Sequence, residues 1–217
     1  MEITVIIVGI GQWKEYTREA IHSVLRYNPN VDIIIVDNGS NYTTQKVLYN
    51  VEKYKNVRFI SSNNLLSYSS SINLGLRVIN NPDWVIILNN DIVCTGSIEQ
   101  ELLKMDINVI YGNKLHKRKA GWPNIDLEWI DGWLYAIPYH IIEEVGQWDE
   151  QFKIAHAEDL DYCIRAKNLG YDIKLSFLPF THLEEHIRKT IPKFKEIRRQ
   201  NKDYLYRKHG LYDERSL

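Results

Sequence analysis

Trp84-Val-Ile-Ile-Leu-Asn-Asn-Asp91 is an apolar run that ends abruptly in two amides and a carboxylate. Its length and β-branched content are those of a buried strand. The polar cluster falls where such a strand leaves a sheet, and in open α/β sheets ligands bind outside the carboxyl ends of the strands. Asp91 is therefore a candidate ligand for a hard cation, and hard cations in enzymes often accompany phosphates. The same three residues also suit an Asx turn, which Asn and Asp favour on their own account.

The sequence on either side favours the first reading. Residues 3–8 form a strand, and residues 14–27 an amphipathic helix with Tyr16, Ala20, Val24 and Tyr27 on one stripe, stopped by Asn28-Pro29. A second apolar strand, 31–36, runs into Asp37-Asn38-Gly39-Ser40, and residues 43–53 follow as a helix. A short strand at 57–60 precedes a helix over 69–79, with Ile72, Leu76 and Ile79 at helical spacing and Asn80-Asn81-Pro82 closing it. Strand alternating with helix implies βαβ units and a parallel sheet. Asp37 and Asp91 each follow an apolar strand, so parallel strands place both carboxylates at one crevice.

The second half is less regular. Strands are expected at 108–112, 133–137 and 172–178, with a loop over 116–124 that carries Lys117, Arg118 and Lys119 and then Gly121-Trp-Pro. Pro138 opens a short helix through Val145, and a helix over 158–169 ends at Gly170. The expected architecture is a single α/β domain over residues 1–186, with a mostly parallel central sheet flanked by helices. Residues 187–217 form a basic helical C-terminal extension anchored by Ile191, Phe194, Ile197 and Leu205. No internal repeat is present.

Composition narrows the function classes. The 217 residues carry 27 basic and 28 acidic side chains, a balance that argues against a dedicated nucleic-acid binder. The charge is uneven: residues 188–217 hold 10 Lys and Arg against 4 Asp and Glu. A basic tail is thus joined to an acidic body. It either packs on the body by its apolar anchors, or holds an anionic membrane or lipid-linked acceptor. Cys94 and Cys163 form no metal-type pair and fit buried thiols in a reducing compartment. The first strand begins without a signal-peptide pattern, and no apolar run approaches the ~20 residues of a spanning helix. The expected location is the cytoplasm, peripheral to a membrane at most.

Three acidic groups sit at element ends: Asp37, Asp91 and Glu158-Asp159. A carboxylate at a helix N-terminus is held charged by the orphan amides and the dipole, which keeps Asp159 available as a base. The plainer reading is an acidic first turn with Asp161 and Arg165 as an i,i+4 pair. His182-Leu-Glu-Glu-His186 lacks the His-Glu-x-x-His spacing of a helical zinc site. Trp122, Trp129, Trp133 and Trp148 suit either sugar platforms or core, with core the default. In Asp131-Gly132-Trp133 the glycine permits close backbone approach. Gly9 and Gly11 lack the third glycine of a dinucleotide fingerprint.

Taken in order, these motifs resemble glycosyltransferase family 2, whose members have the GT-A, Rossmann-like fold. The resemblance rests on the first strand with Val8 and Gly9, on Val36-Asp-Asn-Gly-Ser40, on Asn73-Leu-Gly75 and on Leu88-Asn-Asn-Asp91. It continues through Asp131-Gly132, Val145-Gly-Gln-Trp-Asp-Glu150, Glu158-Asp-Leu-Asp-Tyr-Cys-Ile-Arg165 with Gly170-Tyr171, and His182. It covers residues 3–186 and is nearest the rhamnosyl- and galactofuranosyl-type branch. It implies an inverting hexosyltransferase acting on a UDP-, GDP- or dTDP-sugar, with a glycan, lipid-linked or protein acceptor and a divalent cation, Mn²⁺ or Mg²⁺. Val8, Gly9, Asp37, Asn73, Asn89, Asn90 and Asp91 would line the nucleotide and donor side. Asp91 and His182 would hold the metal. Asp159 would be the base, with Glu158 beside it. Asp131, Gly132 and Trp133 would meet the acceptor or sugar. The family's metal motif often begins with Asp where this chain has Asn89, one charge fewer. Two alternatives stand beside this reading. One is a silent nucleotide-sugar or carbohydrate-binding protein. The other is a sugar nucleotidyltransferase, for which residues 9–14 make a poor phosphate loop.

Overall fold

Alternation along the apolar strands decides the layering. In β1 (Ile3–Gly9) the side chains of Ile3, Val5 and Ile7 enter one core, and those of Ile6 and Val8 enter another on the opposite face. The same split divides Ile33 and Ile35 from Ile34 and Val36 in β2 (Asp32–Asn38), and Trp84, Ile86 and Leu88 from Val85 and Ile87 in β4 (Trp84–Asn89). A strand apolar on both faces needs cover on both, which is why these segments lie at the centre of an α/β sandwich. Each fully buried Ile or Val contributes about 2 kcal/mol of transfer free energy.

The structure is a computed structural model that describes residues 1–9, 16–40, 54–119, 126–183 and 193–211. Its main sheet adds β3 (Val57–Ser62), β6 (Val109–Gly112), β9 (Leu134–Pro138) and β10 (Asp172–Leu175), in the order β10-β6-β9-β4-β1-β2-β3. Only β9 runs against its neighbours β4 and β6; the other adjacent pairs are parallel. Two two-stranded ribbons flank the sheet: β5 (Ile92–Cys94) with β11 (Phe180–His182), and β7 (Leu115–Lys119) with β8 (Asp126–Ile130).

One face is covered by α1 (Arg18–Tyr27) through Ala20, Ile21 and Val24, and by α3 (Ile98–Leu102). Asn28 ties these together, donating to the Val24 and Gly96 carbonyls and accepting from the Ile98 N–H at 2.7 Å. The other face is covered by α2 (Tyr68–Leu76), α4 (Tyr139–Val145) and α5 (Glu158–Asn168). Gly75 lets α2 lie against the sheet, because a Cβ there would meet the Ile6 side chain at 2.8 Å. Trp148 stacks on Tyr162 with ring centroids 3.7 Å apart, and both are core residues, the default for a tryptophan. Cys94 and Cys163 are buried free thiols. The last helix, α6 (Phe194–Lys208), packs on the body through Leu205, against Phe152 and Ala157.

The expected elements of residues 1–40 and 54–89 are present, as are those at 108–112, 133–137, 138–145 and 158–169. Four departures have physical causes. Residues 115–119 are a strand and not a loop: the register pairs Lys117 with Glu128 in an ion pair and His116 with Trp129 in a ring stack. Cross-strand pairing of polar residues stabilises such a ribbon without an apolar stripe. Residues 180–182 form β11 on β5, where a loop was expected. β10 stops at Leu175, with the Ser176 N–H completing the ladder to the Gly112 carbonyl and its hydroxyl donating to the Asn113 side chain. α2 ends at Leu76, three residues early, with Arg77 as its C-cap. The helix expected at 43–53, the start of the one at 14–27, Gly11, Trp122, His186, Ile191 and the 186/187 boundary lie outside the described residues.

Candidate active site

The crevice lies at the carboxyl ends of β1, β2 and β4. Register places Gly9 beside Asp37, and Val8 beside both Val36 and Asn89, so the expected nucleotide-side residues form adjacent rungs. Asp37 is buried at the end of β2. Asn38, next to it, exchanges two hydrogen bonds with the Leu66 backbone, at 2.9 and 2.6 Å, and so fixes the loop that leads into α2. Two residues placed on the donor side by motif turn out to be built into the protein. Asn90 is 1% exposed and donates to Thr17 Oγ1 at 2.9 Å, and its side chain fills the space over Gly9 where a Cβ would stand 2.7 Å away. Asn73 is fully buried: its amide donates to the Trp148 carbonyl and Glu150 Oε1 and accepts from the Trp148 N–H. It fastens α2 to residues 148–150. Asn89 is half-buried at the strand end, with its N–H bonded to the Trp133 carbonyl.

Asp91 and His182 come together through the β5–β11 ribbon. His182 stands opposite Ile92, and the Leu183 N–H bonds the Asp91 carbonyl at 2.9 Å. His182 Nε2 lies 3.2 Å from Asp91 Oδ1, yet both atoms are buried and lack a hydrogen bond of acceptable geometry, to each other or to anything else. Burying two such atoms without satisfying them is costly. An oxygen and an imidazole nitrogen left unsatisfied side by side match the donor set of Mn²⁺ or Mg²⁺ more than that of a thiolate metal. No group of three or more His, Cys, Asp or Glu gathers for a metal among the described residues, so protein ligation would rest on this pair. The Trp133 indole stacks on His182, 5.0 Å between centroids and 7° from parallel, and fixes the ring plane.

Glu158 and Asp159 enter the cleft from the first turn of α5. That turn carries Glu158, Asp159 and Asp161, as the helix dipole favours, and Asp161 pairs with Arg165 at i,i+4, 2.9 Å apart. The dipole does not decide the state of Asp159. Burial pushes its carboxyl up, the like charge of Asp131 adds to this, and hydrogen bonds from the Leu160 and Gly132 N–H groups oppose it, leaving it at about 6. Helix position alone suggests a carboxylate in its ordinary range; partial burial beside Asp131 raises it toward the value suited to a general base near neutral pH.

Three residues of this site were not singled out in the sequence. Tyr68 donates its hydroxyl to the Gly132 carbonyl at 2.7 Å, and burial, then the charges of Glu158, Asp91 and Asp159, push its phenol well up. Lys114 and His116 hold Asp131, Lys114 Nζ at 3.0 Å from Oδ2 and His116 Nε2 at 2.6 Å from Oδ1. Ser67, whose side chain accepts from the Ser70 N–H as an N-cap, was the available signal for a helix opening at Tyr68. Lys114 and His116 were masked by the basic run that follows them. Gly132 lies at the centre: a Cβ there would sit 3.6 Å from Asp159, 3.7 Å from Tyr68 and 3.9 Å from Glu158 Oε1. A methyl group there would make ordinary van der Waals contacts with all three.

Known structures share the fold. The fold matches GalNAc-T7 with UDP, GalNAc and Mn²⁺ at TM-score 0.70 and 15% identity, over 94% of this chain and 50% of that one. It matches the mannosyltransferase PcManGT of Pyrobaculum calidifontis, in complex with GDP-Man and Mn²⁺, at 0.63 and 16%, over 80% and 54%. It matches S. aureus TarS at 0.64 and 12%, over 95% and 40%. The chain thus spans about half the length of these proteins, or less. No curated protein sequence matches it significantly. The sequence model of Glycosyl transferase family 2 matches residues 4–158, well over half the chain and the stretch that runs from the first strand to the acidic start of α5. Val8, Gly9, Asp37, Asn89, Asp91, Asp131 and Glu158 lie inside that match, Asp159 and His182 beyond its end, and the chain belongs to glycosyl transferase family 2.

Proposed function

We propose that this protein is an inverting glycosyltransferase that moves a hexosyl group from a nucleoside diphosphate donor to an acceptor hydroxyl, with a divalent cation. The observation that carries the reading is the unsatisfied Asp91–His182 pair on the same cleft as a carboxyl raised to about 6. Two proteins of similar fold hold a uridine or guanosine nucleotide with Mn²⁺, which supports the same chemistry here. Asp91 and His182 would hold the cation, which as a Lewis acid stabilises the charge developing on a departing diphosphate. Gly9, Asp37 and Asn89 line the nucleotide end. Asp159 accepts the proton of the attacking hydroxyl on the far side of the anomeric carbon, so configuration inverts. The sugar would lie beside Gly132, bordered by Asp131, Trp133, Glu158 and Asp159. The acceptor is a glycan, lipid-linked or protein hydroxyl, the lipid-linked case being the one in which the basic outer face of α6 would rest on a membrane. Among the described residues no helix is long and apolar enough to cross one.

Nucleotide release from UDP-, GDP- and dTDP-sugars with Mn²⁺ or Mg²⁺, followed by NMR of the product's anomeric proton, tests this. Release that requires an acceptor and yields the inverted anomer is expected. Silence with every donor and metal, with donor binding retained, would make the protein a binder.

A further inference from the structure

One buried amide of the C-terminal helix binds residues 153–156 at several points, beside a Lys153–Gln200 bond and an Arg198–His156 bond at the surface. Asn201, 2% exposed, accepts from the Lys153 N–H at 2.9 Å and donates to the carbonyls of Lys153 (2.8 Å), His156 (3.0 Å) and Ala155 (3.2 Å). Three carbonyls within four residues converge on one side chain only because the chain between them coils through left-handed conformations. Ile154 has φ 56°, His156 92° and Ala157 75°. These are unfavourable for residues with a Cβ, most of all for a β-branched one. Ala157 is the N-cap of α5, and Glu158 and Asp159 follow it directly. The Ile154 carbonyl accepts from the Tyr68 N–H, and Tyr68 in turn holds Gly132. A hydrogen-bonded path therefore runs from α6 through residues 153–157 to Tyr68, Gly132 and the carboxyl of Asp159.

The same helix grips both flanks of that strap. Lys208 Nζ lies 2.7 Å from Asp149 and 2.6 Å from Asp161, Tyr204 donates to Asp149 at 2.7 Å, and His209 lies 2.8 Å from Asp161. Asp149 precedes the strap, and Asp161 is two residues beyond Asp159. An α6 whose only task was to cover the body could do so through Leu205. The convergence of an amide, a lysine, a tyrosine and a histidine on residues 149–161 does more than exclude water.

We propose that Asn201 is a positioning residue for the catalytic base: it holds the left-handed strap 153–157 and so sets where Asp159 stands. The proposal rests on the transfer reading above. A strap poised against its own backbone preferences relaxes when its partner is removed, and a displacement of the base by about 1 Å costs transfer on the order of 100-fold.

Asn201→Asp tests it, because the acid keeps the size and the acceptor for Lys153 but loses both donors. The expected result is a kcat about 100-fold lower, with donor KM and donor Kd within about twofold of the parent. Amide hydrogen exchange at residues 154–160 should rise at least about tenfold while the β1, β2 and β4 amides stay protected. Leu205→Ala is the control: it lowers the melting temperature but leaves kcat per folded molecule near the parent value. Parental kcat in Asn201→Asp, or an equal loss of kcat per folded molecule in Leu205→Ala, overturns the proposal. Should Asn201→Asp not fold, Asn201→Ser carries the same comparison. If the parent protein turns over no donor, the transfer reading fails by itself, and unchanged exchange at 154–160 in Asn201→Asp overturns the positioning role separately.

Discussion

The fold disfavours the charge of Asp159, the proposed base. Its carboxyl stands at about 6 because burial and Asp131 disfavour the charge. A group raised in the folded state stabilises the fold fully below the ordinary carboxylate range, and that contribution is lost as pH rises through about 6. Asp159→Asn should therefore lower kcat by about 10³-fold, within the range of general bases, leave donor affinity unchanged and melt no lower than the parent at pH 8. Activity of the parent should rise with pH through a midpoint near 6, and Asp131→Asn, which removes the like charge, should move that midpoint downward; a pH–rate profile of each checks it. At Gly132 a methyl clashes with nothing, since its nearest neighbour would be 3.6 Å away, but it would stand against Asp159, the proposed base. Gly132→Ala should melt within about 3 °C of the parent, a stability change under 1 kcal/mol, and lose most transfer, which calorimetry and a rate measurement separate.

At the scale of elements, the family motifs prove to be joints as much as contacts. Asn73 on α2 bonds the backbone of Trp148, and Glu150 bonds Asn73 and Ser70. Arg165 on α5 donates to the Val145 and Gln147 carbonyls while pairing with Asp161. Asp161 is fully buried; desolvation alone would raise it, but His209, Lys208 and Arg165 outweigh that and hold it at about 2. A depressed carboxyl stabilises the fold above its ordinary value, and the benefit disappears as pH falls from about 4 toward 2. Asp161→Asn removes the buried charge that Arg165 and Lys208 share and should cost about 3 kcal/mol at neutral pH, measurable by denaturant melts. The core strands and long helices were legible because an Ile–Val run or a helical stripe states its own burial. The ribbons were not. β11 is three residues long and β7 is Leu-His-Lys-Arg-Lys, so their strand state comes from pairing with distant partners, β5 and β8.

The whole molecule converts one pattern, an apolar strand ending in a polar cluster, into a crevice shared by four chain segments. The sheet register sets the proposed nucleotide end, the β5–β11 ribbon joins Asp91 to His182, and α5 delivers Glu158 and Asp159. Asp91, His182, Asp131 and Asp159, the residues of the proposed site, stood out in the sequence by residue type and place in order. The structural work of Asn73 and Asn90 was not, because an amide that binds a ligand and one that binds the chain look alike in sequence. The account depends most on the pair at the centre of the crevice. Titration calorimetry of UDP and GDP into the protein, with and without Mn²⁺, addresses it directly. Binding of one nucleotide should tighten at least about tenfold with Mn²⁺ in the parent, and the gain should vanish in Asp91→Asn and His182→Ala while metal-free binding persists. Nucleotide affinity that ignores Mn²⁺ in the parent, or a metal effect that survives both substitutions, would contradict the assignment.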